Sequence, residues 1–160
     1  MSASKAVQDF YPDDFAYCYG CGRLNSQGLH VRSVWDGDET VARFTPRPEH
    51  MAVPGFVYGG LLASLVDCHA MGMAAAASER AAGRTFGEAP MPRFVTGSLK
   101  VDFLKPTPLG PELVIRARVT SATERKTLIA ATITVAGIVT VRGEVVAVRI
   151  PASMEKPASS

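Results

Sequence analysis

The chain has 160 residues, 47% hydrophobic and 20% charged, enough for one domain with its own core and too apolar for wholesale disorder. A formal net charge of +2, with no basic run interleaved with aromatics, excludes a nucleic-acid partner. Three cysteines exclude a disulfide framework.

Residues 1–17 read as an N-terminal arm without apolar periodicity. They lack the basic-then-apolar pattern of a secretory signal, so a cytoplasmic location is expected. Cys18 and Cys21 form a C-x2-C pair in a glycine-rich, turn-like stretch that runs to Gly28. A tetrahedral zinc site needs four ligands. His30 adds a third and no second Cys or His pair follows, so free thiols and no metal are expected. Residues 29–35 alternate in part through Leu29, Val31, Ser33 and Trp35 and predict a strand. Asp36-Gly37-Asp38 is a turn signal, and residues 39–45 complete a hairpin. Pro46, Pro48 and Pro54 then hold an irregular loop.

From Gly59 to about Ala82 there is no proline, and Ala, Leu and Met predominate, which predicts a helix. It is apolar on nearly every side as far as Ser78, so it belongs in a core, and Gly83 supplies its stop. Residues 59–77 are apolar enough to suggest a membrane span, but Asp67 and His69 within them are costly in lipid. A buried helix and no membrane are expected. After the Gly/Pro-rich loop 84–92, strands are predicted over residues 94–104, 112–120, 127–135 and 138–150. Leu113, Ile115, Ala117 and Val119 mark the inner face of the second of these, and Ala136-Gly137 turns the last hairpin. Residues 18–151 thus form one domain, and residues 152–160 read as a disordered tail. The order β-β-α-β-β-β-β implies an α+β fold in which one sheet wraps the single helix, since nothing else can cover it.

Asp67 is the residue most out of place, a carboxylate deep in an apolar helix. A buried carboxylate without a partner is expensive, so it is there either for chemistry, or satisfied by hydroxyl and backbone groups, or set against an oligomer seam. Gly59-Gly60 opens the same helix, where backbone N–H groups lack intrahelical partners and can hold a developing oxyanion. The same pair also serves as a plain entry turn. Asp67 lies eight residues beyond Gly59, about 12 Å along a helix, too far for both to touch one carbonyl carbon. A second, antiparallel copy of the helix in a two-fold dimer would bring them together.

Several stretches carry a family resemblance. Gly55-Phe56-Val57-Tyr58-Gly59-Gly60, running on to Asp67, resembles the "HGG…D" helix entry of hotdog-fold thioesterases of the PaaI type. Phe94-Val95-Thr96-Gly97-Ser98, running on to Pro106, resembles that family's central strand. Pro108 to Leu113 is similar to the turn after it, and Cys18 to Leu29 to an N-terminal signature of many bacterial members. The resemblance implies a hotdog fold and an acyl-CoA thioesterase that needs no cofactor and works as a homodimer or homotetramer. It makes Asp67 the nucleophile or general base, Gly59 N–H the oxyanion donor, Gly60 a support of the helix start, and Thr96 a hydroxyl near the attacking water. Tyr58, Gly60, His50 and Ser98 are the expected substrate-binding positions. Two positions depart from the pattern: Tyr58 replaces the usual histidine, and Ala52 stands where some members carry a polar residue, with Glu49 and His50 near enough to compensate. A non-catalytic acyl-CoA or lipid-binding hotdog protein is the second reading, and a hotdog dehydratase or hydratase the third.

The third is disfavoured by spacing. His69 is about 200° around the helix from Asp67, so the two cannot face one substrate. His69 is expected as a satisfied core or interface histidine, Cys68 as packing, and Met71 and Met73 as core by default, with the lining of an acyl pocket as the alternative. Arg93, Lys100, Lys105 and Arg125 are candidates for CoA phosphates, although each also reads as a solvated charge.

Overall fold

A computed structural model describes residues 4–151 and Met154. The expected tail over 152–160 lies outside the described residues, Met154 apart. Two short strands open the fold, β1 (Val34–Asp36) and β2 (Glu39–Phe44). The helix α1 (Gly59–Ala81) follows, then β3 (Phe94–Phe103), β4 (Leu113–Ala122), β5 (Lys126–Val135) and β6 (Ile138–Arg149). All strand pairs are antiparallel, in the order β1-β2-β4-β5-β6-β3. The six-stranded sheet wraps α1, which is the hotdog arrangement.

The sheet covers the helix by strict alternation. Leu113, Ile115 and Ala117 of β4, Ile129, Ala131 and Ile133 of β5, and Val141 and Val145 of β6 all point inward and are buried. They meet Leu62, Leu65, Val66 and the alanine run Ala74-Ala75-Ala76 of α1. The helix has the length and hydropathy of a membrane span, yet 72% of its most apolar window is buried inside the protein. The sheet covers most of these residues.

The first predicted strand is a correction. Only Val34–Asp36 is β. Residues 29–33 are taken up by the N-terminal segment instead: Leu29 N–H donates to the Tyr19 carbonyl, Val31 N–H to Gly20, and Ser33 N–H to Gln8 Oε1. His30 has φ 56°, a left-handed conformation that no strand accommodates. The described part of the arm is packed as well. Short 3-10 turns at Val7–Phe10 and Asp13–Phe15 carry the buried Val7, Tyr11 and Ala16 against the core.

His69 is the hinge of that packing. Fully buried, its Nδ1 accepts from Ser33 Oγ (2.8 Å), and its Nε2–H donates to the Thr40 carbonyl (3.0 Å). Ser33 Oγ in turn accepts from Gln8 Nε2 (3.1 Å). Burial pushes the imidazole pKa down to about 4, only partly offset by the bond to Thr40, so His69 is a neutral core residue. In the unfolded chain it takes a proton below pH about 6.5. Between that pH and about 4 the unfolded state binds the extra proton, so stability should fall as pH drops through this window. The full loss is about 3 kcal/mol. Urea unfolding at about pH 5 and pH 7 measures it, and His69→Gln should flatten the dependence. An unchanged pH dependence in His69→Gln would show that other groups cause it.

Candidate active site

The helix supplies one face for chemistry. Gly60, Ser64, Asp67 and Met71 fall at i, i+4, i+7 and i+11 and therefore share a side of α1. Asp67 is half-buried near the middle of that face, and Thr96 Oγ1 donates a short hydrogen bond to its Oδ1. Burial raises the Asp67 pKa, the Thr96 bond lowers it, and negative charge at Cys18 raises it again; the net direction is upward. The result is a carboxylate oriented by a fixed hydroxyl and more basic than an exposed aspartate, which suits proton abstraction from water.

Thr96 reaches Asp67 because of a β-bulge. In the β3–β6 ladder Thr96 pairs with Ala147 and Ser98 with Val146, which leaves Gly97 as an extra residue. Ala147 is fully buried, so Thr96 faces the helix. Ser98 and Lys100, opposite Val146 and Glu144, face the other side of the sheet, where Lys100 lies beside Asp102 and Glu144. Ser98, expected as a substrate-binding position, therefore lies on the face of the sheet away from Asp67. Lys100 is likewise a paired surface charge.

The helix mouth is the second cluster. Tyr58 is the N-cap residue of α1 and offers no side-chain cap. Neither Gly59 nor Gly60 N–H donates a hydrogen bond among the described residues. A Cβ on Gly60 would overlap the tip of the Tyr58 ring, so the ring lies across Gly60 and would have to shift for any larger residue there. A Cβ on Gly59 would come within 3.3 Å of the Phe103 ring. His50 is tied to the mouth through its carbonyl, which accepts from Tyr58 N–H (2.8 Å). Its ring is held by Arg47 N–H donating to Nδ1 (2.9 Å) and tilts against Phe44. Burial, then Arg47, lowers the His50 pKa while Glu49 opposes them. Tyr19, Leu29, Arg47, His50, Tyr58 and Ser64 line a cleft of about 420 Å³ at this mouth.

The structure thus brings Asp67 to Thr96, and Tyr58 and His50 to Gly59 and Gly60, as two groups on one helix face. It does not join the groups within the chain. Sequence reasoning missed Tyr19 and Ser64 in the cleft wall, although the i, i+4, i+7 spacing from Gly60 pointed to Ser64. It also missed that Cys18 and Cys21 lie against Cys68: the three Sγ atoms are within 4.8 Å of one another. Arg93 is not a free surface cation, since its guanidinium stacks on the Tyr11 ring at 4.0 Å.

A family model described as "Thioesterase superfamily" matches residues 54–142. No curated protein matches the chain in sequence. Among solved structures, a thioesterase superfamily protein of Shewanella loihica is 40% identical, with 87% of this chain and 98% of that one covered at a TM-score of 0.66. The Escherichia coli PaaI protein of the phenylacetic acid degradation operon is 18% identical, with 77% and 81% covered and a TM-score of 0.63. A Streptococcus mutans protein bound to acetyl CoA is 14% identical, with 80% and 96% covered and a TM-score of 0.61.

Proposed function

Because the chain belongs to the thioesterase superfamily, we propose that it hydrolyses an acyl-CoA thioester to the free acid and CoA, in a site shared between two copies. The observation that carries this reading is the Thr96–Asp67 hydrogen bond, which fixes a half-buried carboxylate on an apolar helix whose glycine mouth has free N–H donors. Asp67 acts as nucleophile or takes the proton of the attacking water, and Gly59 N–H of the other copy holds the thioester oxygen. Thr96 positions Asp67.

A second copy is supported by the edge of the sheet. β3 is the last strand of the ladder, and Val95, Leu99 and Phe103 on it are exposed. Leu99 and Phe103 pair with the inward-facing Val145 and Val141, so they extend the apolar inner face past the chain's own helix. Met51, Val53 and Phe56, in the segment that leads into α1, and Leu104, after β3, are exposed as well. Exposed apolar area of this kind marks an interface or a ligand wall. The CoA ester as substrate class draws support from the S. mutans protein with acetyl CoA and a Streptococcus pneumoniae thioesterase-like protein with coenzyme A, both of this fold. A hydrolysis screen over short, long and aromatic acyl-CoAs, read as free thiol release, tests the reading. Tight acyl-CoA binding with no turnover across the panel would overturn it.

That outcome would favour the second reading, a non-catalytic acyl-CoA binder, and one observation leans that way: the Tyr58 ring lies across Gly60 at the helix mouth. Tyr58 is 58% exposed, so the phenol can reach the thioester end of a ligand. As a neutral donor it contributes about 1 kcal/mol. Tyr58→Phe should then lower kcat by no more than about tenfold. Tyr58→His, with a smaller ring over Gly60, should raise the rate if the phenol obstructs the water. Flat kinetics in both variants, with only Tm changed, would make Tyr58 a structural residue.

A further inference from the structure

Three thiols meet at one point beside the candidate active site, and neither hydrolysis nor packing needs them together. Cys18 and Cys21 belong to a tight turn closed by Gly22 N–H donating to the Cys18 carbonyl (2.7 Å). Cys68 projects from α1 one residue beyond Asp67, with its sulfur 3.7 Å from that of Cys18. A tetrahedral ion with metal–sulfur bonds of about 2.3 Å sets its sulfurs about 3.8 Å apart. The turn is built for this approach, because a Cβ on Gly20 would overlap the Cys68 sulfur. We propose that Cys18, Cys21 and Cys68 form a three-thiolate site for one divalent cation of the zinc class, which pins the turn at residues 18–22 to helix α1 beside Asp67.

The electrostatics agree with the geometry. The Cys18 and Cys68 sulfurs are close enough to share a proton, and either can donate it. Binding one divalent ion to the three sulfurs displaces their thiol protons and leaves a net charge of −1 on the ion and three thiolates. A matching cation stands nearby: Arg93 lies within electrostatic range of Cys18 and Cys21, and its Nη1 is buried with no hydrogen-bond partner among the described residues. Cys18 is only half-buried, which opens a path for the ion and leaves the fourth corner to water.

The test is a titration of the reduced, untagged full chain with Co²⁺ as a spectroscopic substitute for Zn²⁺. One equivalent should bind with the near-ultraviolet sulfur-to-cobalt charge-transfer band and the visible bands of a tetrahedral thiolate site, and Zn²⁺ should displace it. Zn²⁺ should also protect all three cysteines from a thiol reagent. Cys18→Ser and Cys68→Ser should each weaken Zn²⁺ binding by at least about tenfold. The wild-type titration stands even if a variant fails to fold. Absence of the sulfur charge-transfer band at micromolar ion, or equal thiol labelling with and without Zn²⁺, overturns the proposal. So does a Cys18–Cys68 disulfide in protein purified without reductant that persists when zinc is present. None of these readouts uses turnover, so failure of the thioesterase reading would leave the result unaffected.

Discussion

Exchange of Asp67 for asparagine should lower thioester hydrolysis on the order of a thousandfold while the protein stays folded. Asparagine keeps the size of the side chain and an oxygen that can still accept from Thr96, so the geometry around β3 should survive. What is lost is the carboxylate of the shared helix face, the group there that can take a proton from water. Stability should hold or rise, because burial is the largest influence on Asp67 and it works against the charged form. Single-turnover kinetics with an accepted acyl-CoA, alongside thermal unfolding, separates the two effects. Wild-type rates in Asp67→Asn would end the assignment of this carboxylate.

Mixed oligomers should show the second large effect. Gly59→Val puts a branched side chain where a Cβ alone already approaches the Phe103 ring to 3.3 Å, closing the helix mouth to a substrate carbonyl. By itself the variant should be as inactive as Asp67→Asn. In a shared two-fold site each dimer holds two centres, each made of one copy's Asp67 and the other's Gly59. A dimer of one Asp67→Asn and one Gly59→Val subunit therefore keeps one intact centre. After unfolding and refolding together in equal amounts, half the dimers are mixed, and activity should return to about a quarter of wild type. A mixture that stays inactive, or a fully active monomer by light scattering, would mean that a single chain assembles the site despite the roughly 12 Å that separate Asp67 from Gly59 along α1.

Much of the fold was legible because its signals are local. Alternation in residues 112–120 named the buried face of β4 correctly, and a proline-free apolar stretch located α1 to within a residue. Asp67 was visible for the opposite reason, as a charge that breaks its surroundings. Residues 29–33 misled because alternation reports which side chains are buried, not what buries them. Leu29 and Val31 are indeed buried, but their backbone bonds go to residues 19 and 20 rather than to a neighbouring strand. The thiol cluster was hidden by distance along the chain, since nothing in the spacing of Cys18 and Cys21 points to Cys68. The face that Ser98 takes was hidden by one glycine, Gly97.

That glycine has a wider consequence. A strand normally obeys a single phase along its length: whatever faces the helix at one end dictates which positions face it at the other. The extra residue at Gly97 cuts β3 into two segments of opposite phase. The upstream segment aims Thr96 at Asp67. The downstream one aims Leu99, Val101 and Phe103 at the helix mouth and the exposed apolar edge. Under the proposed function, changes to the apolar edge would leave the aim of Thr96 at Asp67 alone. Were Gly97 instead drawn into a regular ladder, the phase set by Thr96 would swing Ser98, Lys100 and Asp102 inward in place of Leu99 and Val101.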